Sequence, residues 1–254
     1  MTAATGSELY VRGAATLLAS WDEYARGSAG GMVKRLRGVA AAVFPRGPER
    51  HVYNNALPDR DLATNERAAA LDAMERVYTS AGVDRYAVWA HESDQGMRAE
   101  LAVRGFTIDT STRAMSMSLD NLPVAVSDAG IERLEDWDEY LEYLWSVGVP
   151  AGLLSGAEPS AFHVLVARIG GENVATALAF DHEGDCGIYN MSTLDSFRRR
   201  GLGTALTARH VQDAAERGCL TASLQSTPMA ESVYAAVGFG DLGRFLEYLP
   251  GPGV

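Results

Sequence analysis

Lysine is almost missing from this 254-residue chain. It occurs once, at Lys34, so arginine carries nearly all the positive charge. Positive charge is itself in short supply: 22 basic residues stand against 33 acidic ones, a net of −11. That balance disfavours a nucleic-acid partner, because such proteins carry a basic surface. Cysteine is scarce too. Cys186 and Cys219 are the only two, too few for a disulfide scaffold and without metal-ligand spacing. The five histidines (His51, His91, His163, His182, His210) are scattered and form no zinc signature. No apolar run approaches the ~18 residues of a membrane span. The stretch from Ala14 to Trp21 is short, is followed by acidic residues, and reads as a helix rather than a signal peptide. Together these absences point to a reduced, cytoplasmic setting with no metal and no membrane partner. What is present is 47% hydrophobic and 22% charged, enough for a globular core. The length allows one large domain or two modest ones.

The acid is unevenly spread. Residues 1–122 hold 14 basic and 15 acidic residues, whereas residues 123–254 hold 8 and 18. The change falls near Asp120-Asn121-Leu122-Pro123, which predicts a boundary there, with domains at 1–121 and 122–254. In the second half, helical spacing predicts a helix over 134–145. Strands are predicted at 162–168, 174–180 and 187–194, joined by turns at Gly170-Gly171 and Glu183-Gly184. A helix over 204–217 is stopped by Gly218, and a strand follows at 220–225. Pro228 then suits the first turn of a helix that ends at Gly238, before a last strand at 244–249. This is a mixed α/β pattern, antiparallel hairpins first, with helices on the faces of the sheet. The first half is less regular. Helices are expected at 14–24, 32–43, 68–81 and 96–103, with strands at 51–56, 86–91 and 114–119.

One segment has the layout of a phosphate cradle. In Leu194-Asp-Ser-Phe-Arg198-Arg199-Arg200-Gly201-Leu202-Gly203-Thr204 a strand ends, a glycine-punctuated turn follows and a helix begins. Glycine lets backbone approach a ligand closely, and the amides and positive end of the helix favour an anion. One helix and one strand later comes Thr227-Pro-Met-Ala-Glu-Ser-Val-Tyr234-Ala-Ala-Val-Gly238-Phe239. With this second motif in order behind the first, residues 124–250 resemble the GCN5-related N-acetyltransferase (GNAT) superfamily. Arg198, Gly201 and Gly203 match its acetyl-CoA motif, and Tyr234, Gly238 and Phe239 match its later Tyr-x-x-x-Gly-Phe.

The resemblance implies an acyl-CoA N-acyltransferase fold (α+β, with a mixed, mostly antiparallel sheet) and acetyl-CoA as co-substrate. It implies the diphosphate on the amides of about Arg199 to Thr204 (Arg199, Arg200, Gly201, Leu202, Gly203, Thr204), with Arg198 and Thr227 also in the cofactor site. The pantetheine arm would run along the strand at Met191, Ser192, Thr193 and Leu194, as an added strand would. A backbone amide at Thr193 or Leu194 would hold the thioester oxygen, and Tyr234 would protonate the leaving thiolate. Two departures stand out. Thr227 replaces the family's usual asparagine. The position where histone-acetylating members carry a glutamate base is Gly187, which has no side chain. Asp185, Tyr189, Asn190 and His163 lie on neighbouring elements, where each could act through water, although a structural role is the plainer reading of each.

The first half holds a worn echo of the second. Tyr86–Asp94 followed by Met97–Gly105-Phe106 repeats the strand–helix–Gly-Phe layout at an offset of 133 residues. Leu101 then takes the place of Tyr234, and no glycine falls between Gly47 and Gly82 to form a cradle. Such a chain resembles two-domain GNAT proteins, mycothiol synthase among them, with a degenerate first copy. The acidic run Asp128, Glu132, Glu135, Asp136, Asp138, Glu139, Glu142 precedes the loop 149–154 that borders the acceptor site in that superfamily. It is either a solvated helix face or a rim that attracts an amine. The expected reaction is acetyl transfer to a primary amine of a small molecule, with a protein lysine second. An acetyl-CoA sensor or a partner-binding module without turnover is the reading from a different class.

Overall fold

The structure is a computed structural model; it describes residues 4–46, 53–120, 122 and 130–251. His51, Asp128 and most of the expected boundary, including Asn121 and Pro123, lie outside them. The chain divides into two compact units that interleave in sequence. One comprises Met1–Ser20, Ala114–Ala151 and Glu158–Leu242, the other Trp21–Arg113, Gly152–Ala157 and Gly243–Val254.

The first unit carries the cradle. Its strands are β6 (Ile131–Arg133), β7 (His163–Ile169), β8 (Glu172–His182), β9 (Asp185–Thr193) and β10 (Thr221–Ser226), joined by the second part of β5 (Thr107–Ser118). They lie in the order β5-β10-β9-β8-β7-β6. β7, β8 and β9 are antiparallel neighbours, as the turn residues predict, β6 pairs antiparallel with β7, and β9 runs parallel to β10. Parallel neighbours need a crossover, which is α5 (Leu202–Glu216). Its inward face buries Leu206, Val211 and Ala214, spaced so that one stripe meets the sheet. Helix α4 (Trp137–Ser146) is capped by Asp136, whose carboxylate accepts the Glu139 amide at 3.1 Å.

The second unit contains β1 (Met32–Leu36), β2 (Val39–Val43), β3 (Asn55–Pro58), β4 (Ala87–His91) and most of β11 (Gly240–Leu249), in that order. It also holds α2 (Thr64–Ser80) and α3 (Gln95–Val103). Along α2, Ala70, Leu71, Met74 and Tyr78 are buried, the i, i+4, i+8 stripe of an amphipathic helix. Tyr78 stacks on Tyr86 at 4.0 Å and donates to the Ala42 carbonyl at 3.0 Å.

The structure departs from the sequence-based expectation in several places. Residues 32–43 form the β1–β2 hairpin, not a helix. Gly38, at φ +83°, makes its turn, and every residue of β2 is buried, so a helix-like alanine run is held as a central strand by tertiary packing. The first helix, α1, is longer than expected, Gly6–Arg26. The last, α6 (Glu231–Val237), starts three residues past Pro228. β6 was not anticipated, and β5 and β11 both start earlier than predicted.

Candidate active site

The cradle is built by α5 and by the turn before it. Gly201 is the N-cap of α5 at φ +80°, and it offers no side chain to cap the helix. The first non-helical acceptor is its carbonyl, which takes the Ala205 amide at 3.0 Å. The amides of Leu202, Gly203 and Thr204 precede that bond, where a helix has no acceptor of its own. Arg199 also sits at positive φ, +59°, so the turn curls its amides toward one side, an anion-binding arrangement. At Gly203 a Cβ would meet Val233 of α6 at 3.4 Å, an ordinary packing distance. The arginines are partly committed. Arg198 bonds the Thr193 carbonyl at 3.3 Å and pairs with Asp195 at 2.7 Å, while Arg200 bonds the Ser196 carbonyl and covers the Phe197 ring.

Beside the cradle, β9 and β10 part company. Only Asp185, Cys186 and Gly187 of β9 pair with β10, opposite Thr221, Ala222 and Ser223. The rest of β9 runs on with that edge free of β10. The divergence coincides with a slip in the β8–β9 ladder. Thr176 pairs with Ser192 but Leu178 with Tyr189, so Asn190 and Met191 together face Ala177. Asn190 adopts φ +49° at this bulge, and bulges bend a strand in this way.

The ladder also decides between the two amides expected to hold a thioester oxygen. The Leu194 amide is spent on the Val174 carbonyl at 2.9 Å. Because donors alternate along an antiparallel strand, the Thr193 amide faces the opposite, open edge. Thr193 therefore suits that task and Leu194 does not.

Tyr234 lies on α6, buried, edge-on to Phe239 at 6.2 Å. Burial pushes its hydroxyl up to about 12. Thr227 is exposed in the turn before α6, its carbonyl taking the Ala230 amide at 3.0 Å. Of the four groups considered as a base, two are committed elsewhere. Asp185 is buried and accepts hydroxyls from Thr221 and Ser223, each at 2.6 Å. It also starts β9, roughly 16 Å along the strand from the bulge at a rise of about 3.3 Å per residue. His163 lies 3.5 Å from Asp181, which Arg217 grips with bonds of 2.6 and 2.9 Å. Burial would raise the Asp181 carboxyl, but Arg217 and His163 outweigh it and hold it well below the usual range. Tyr189 covers Gly187, where any Cβ would collide with its ring. Asn190 forms the bulge itself.

Sequence reasoning missed two groups here. Tyr143 of α4 donates to the Val174 carbonyl at 3.2 Å, and its hydroxyl also meets Ser192. Burial raises its pKa, against the pull of Ser192, of the Leu194 backbone and of Arg198. His210 of α5, fully buried, bonds the Ala177 carbonyl opposite the bulge. Tyr143 was legible only as one more apolar position on α4, and His210 only as a lone histidine in a helix.

A helix capped by glycine, beside a strand pair that splits at a bulge, is the arrangement that a resemblance to the GNAT superfamily implies. Comparison with known proteins agrees. Residues 122–239 match the family model described as Acetyltransferase (GNAT) family. Among solved structures, a GCN5-related N-acetyltransferase from Kribbella flavida is similar, with TM-score 0.71 and 19% identity over 93% of this chain and 96% of that one. A GCN5-related N-acetyltransferase from Sphaerobacter thermophilus gives TM-score 0.62 and 16% identity over 99% and 96%. A tandem GNAT protein from the clavulanic acid biosynthesis pathway gives 0.56 and 16% over 85% and 79%. These likenesses carry the fold, the family model over residues 122–239 supports a transferase, and no curated protein matches the chain. Among the described residues no helix is long and apolar enough to cross a membrane, and no group of side chains is placed to hold a metal ion.

Proposed function

We propose that the chain transfers an acetyl group from acetyl-CoA directly to a primary amine of a small molecule. The observation that carries this reading is the conjunction of the Gly201-capped helix with the splayed β9–β10 pair. Together they offer amides for a diphosphate and, along β9, an unpaired edge for an amide-bearing arm. In this reading Leu202, Gly203 and Thr204 hold the diphosphate through their amides. Arg198 and Arg199 add charge beside it. Met191, Ser192 and Thr193 flank the arm, and the Thr193 amide donates to the thioester oxygen, where charge develops as the amine attacks.

The C–N bond forms as the C–S bond breaks. The amine loses one proton, and the sulfur leaves with the electron pair. Tyr234 is protonated at neutral pH and donates a hydrogen bond to that sulfur. Full transfer of its proton to a thiolate of ordinary pKa near 8.5 would be uphill by about 5 kcal/mol, so the hydroxyl stabilises the leaving group rather than surrendering its proton. No carboxylate takes the proton from the amine in this reading. Gly187 is covered and Asp185 is saturated, so deprotonation goes through water to solvent.

A cationic acceptor suits α4. Within the acidic run, Glu132 and Glu139 pair with Arg168, Glu135 pairs with Arg133, and Asp136 caps the helix. Asp138 and Glu142 remain exposed, one turn apart, and lead to Trp145, which is 57% exposed. An ammonium with an apolar body would meet both charge and ring there. The missing carboxylate base also supports a second reading, an acetyl-CoA sensor. Thiol release from acetyl-CoA across a panel of small amines and lysine peptides separates the two. Amine-dependent release supports transfer, and tight binding without release from any amine supports the sensor.

The two halves are further proposed to be tandem copies, the first without a donor site. The 133-residue offset carries β1, β2, β3, β4 and β5 onto stretches of β7, β8, β9, β10 and β11, and the similar tandem GNAT protein favours the same reading.

A further inference from the structure

The inner face of α5 carries two polar side chains, Thr207, whose hydroxyl bonds the Gly203 carbonyl at 2.7 Å, and His210. Its ring is fully buried among Leu206, Val211 and Ala214. Nε2 lies 3.1 Å from the Ala177 carbonyl oxygen. Nδ1 has no hydrogen-bond partner among the described residues. A carbonyl only accepts, so Nε2 carries the proton and Nδ1 is a bare acceptor. Burial pushes the ring down to about 4, which keeps it neutral. Leaving an acceptor unmet in the core is costly, because the desolvated nitrogen gets no hydrogen bond in return. An apolar side chain of similar bulk would avoid that cost, so packing alone does not account for a histidine here.

The bond it makes does. Ala177 is the residue opposite the slip, facing both Asn190 and Met191. The slip turns β9 away from β10. The helix on the other side of the bond is the one whose first turn forms the diphosphate cradle. His210 therefore ties the cradle helix to the strand against which the acyl-binding strand is bent.

We infer that His210 is a positioning residue, and that its Nε2–H bond to the Ala177 carbonyl sets the span between the diphosphate cradle on α5 and the thioester site on β9. This rests on the acetyl-CoA reading above. A ligand that reaches both ends is sensitive to that span: sliding α5 by a single residue shifts the cradle by about 1.5 Å, enough to misplace the thioester. A ligand that reaches one end is not.

Calorimetry on the full chain tests this with two ligands, acetyl-CoA and adenosine 3′,5′-bisphosphate, the nucleotide end of coenzyme A. The His210→Leu variant should bind the nucleotide with unchanged affinity and acetyl-CoA about tenfold more weakly. His210→Gln, which keeps a side-chain N–H, should restore most of the loss. If the leucine variant does not fold, His210→Met supplies the same apolar replacement on a flexible stem. Equal weakening of both ligands would mark a merely structural histidine and overturn the inference, as would unchanged affinity for both. Wild-type protein that binds neither ligand would instead overturn the acetyl-CoA reading itself.

Discussion

In the proposed reaction Tyr234 acts on rate and Gly201 on binding. Replacing Tyr234 with Phe removes the hydrogen bond to the departing sulfur and leaves the cradle intact. The expected result is a fall in kcat of about 10–100-fold, below the ~10²–10⁴-fold of a full general acid because the hydroxyl keeps its proton, with the acetyl-CoA affinity unchanged. Steady-state kinetics alongside calorimetry checks this, and an unchanged kcat would remove Tyr234 from the reaction. Gly201→Glu places a carboxylate where the diphosphate should sit, on a backbone at φ +80° that costs a non-glycine residue about 1–2 kcal/mol. Acetyl-CoA binding should be lost from calorimetry while the fold survives, and micromolar affinity in the variant would contradict the cradle assignment. These residues were legible in the sequence because each motif fixes residue types at fixed spacing. His210 and Tyr143 were not. Their roles depend on which carbonyl lies across the sheet, and that is settled by the strand register, not by local sequence.

At the scale of elements, two carboxyls on strand surfaces should show opposite pH behaviour. Asp181, on β8, is held below its ordinary value by Arg217 and His163 despite burial. A depressed carboxyl stabilises the fold above its unfolded pKa, near 3.9, and that contribution fades as pH falls below it toward the folded value. Asp181→Asn should therefore cost about 1–2 kcal/mol at pH 7, after allowing for solvent screening, and only modestly less at pH 3, where the folded carboxyl is still ionised and the unfolded one is mostly protonated. Urea unfolding at the two pH values measures the difference. Glu247, on β11, runs the other way. Burial, aided by Asp109 and opposed by a bond from Thr112, pushes it up to about 7. A raised carboxyl favours the fold at low pH and loses that advantage as pH rises from about 4.3 toward 7. Glu247→Gln should abolish that loss, so the variant's melting temperature should exceed wild type at pH 8 and match it at pH 4. The elements carrying these groups were mostly visible in advance. The exception, the β1–β2 hairpin, hid behind an alanine-rich run whose composition favours a helix. The 133-residue offset, extended upstream, would have set it against the β7–β8 hairpin.

At the scale of the molecule, the compact units do not follow the halves of the sequence. β5, ahead of the expected boundary, supplies the strand beside β10 in the cradle unit: Leu119 bonds the Leu220 carbonyl at 2.9 Å and Ser116 the Ala222 carbonyl at 2.7 Å. β11, from the end of the chain, pairs with β4 in the other unit, Phe245 opposite His91. Charge and proline predict a boundary at 121, but the places where the chain passes from one unit to the other leave no mark in composition. A fragment of residues 122–254 lacks β5, so β10 keeps an exposed edge of the kind that aggregates. It should be insoluble or inactive toward any amine. A soluble fragment with full activity would show that the cradle unit needs nothing from the first 121 residues.

The central claim is that the Gly201 turn and the parted strands form a single acetyl-CoA site. A crystal structure of the protein with acetyl-CoA tests it most directly. The account predicts the diphosphate within hydrogen-bonding distance of the Leu202, Gly203 and Thr204 amides, the pantetheine arm along the open edge of β9, and the thioester oxygen on the Thr193 amide. Acetyl-CoA bound elsewhere, with β9 and the α5 turn untouched, would contradict it.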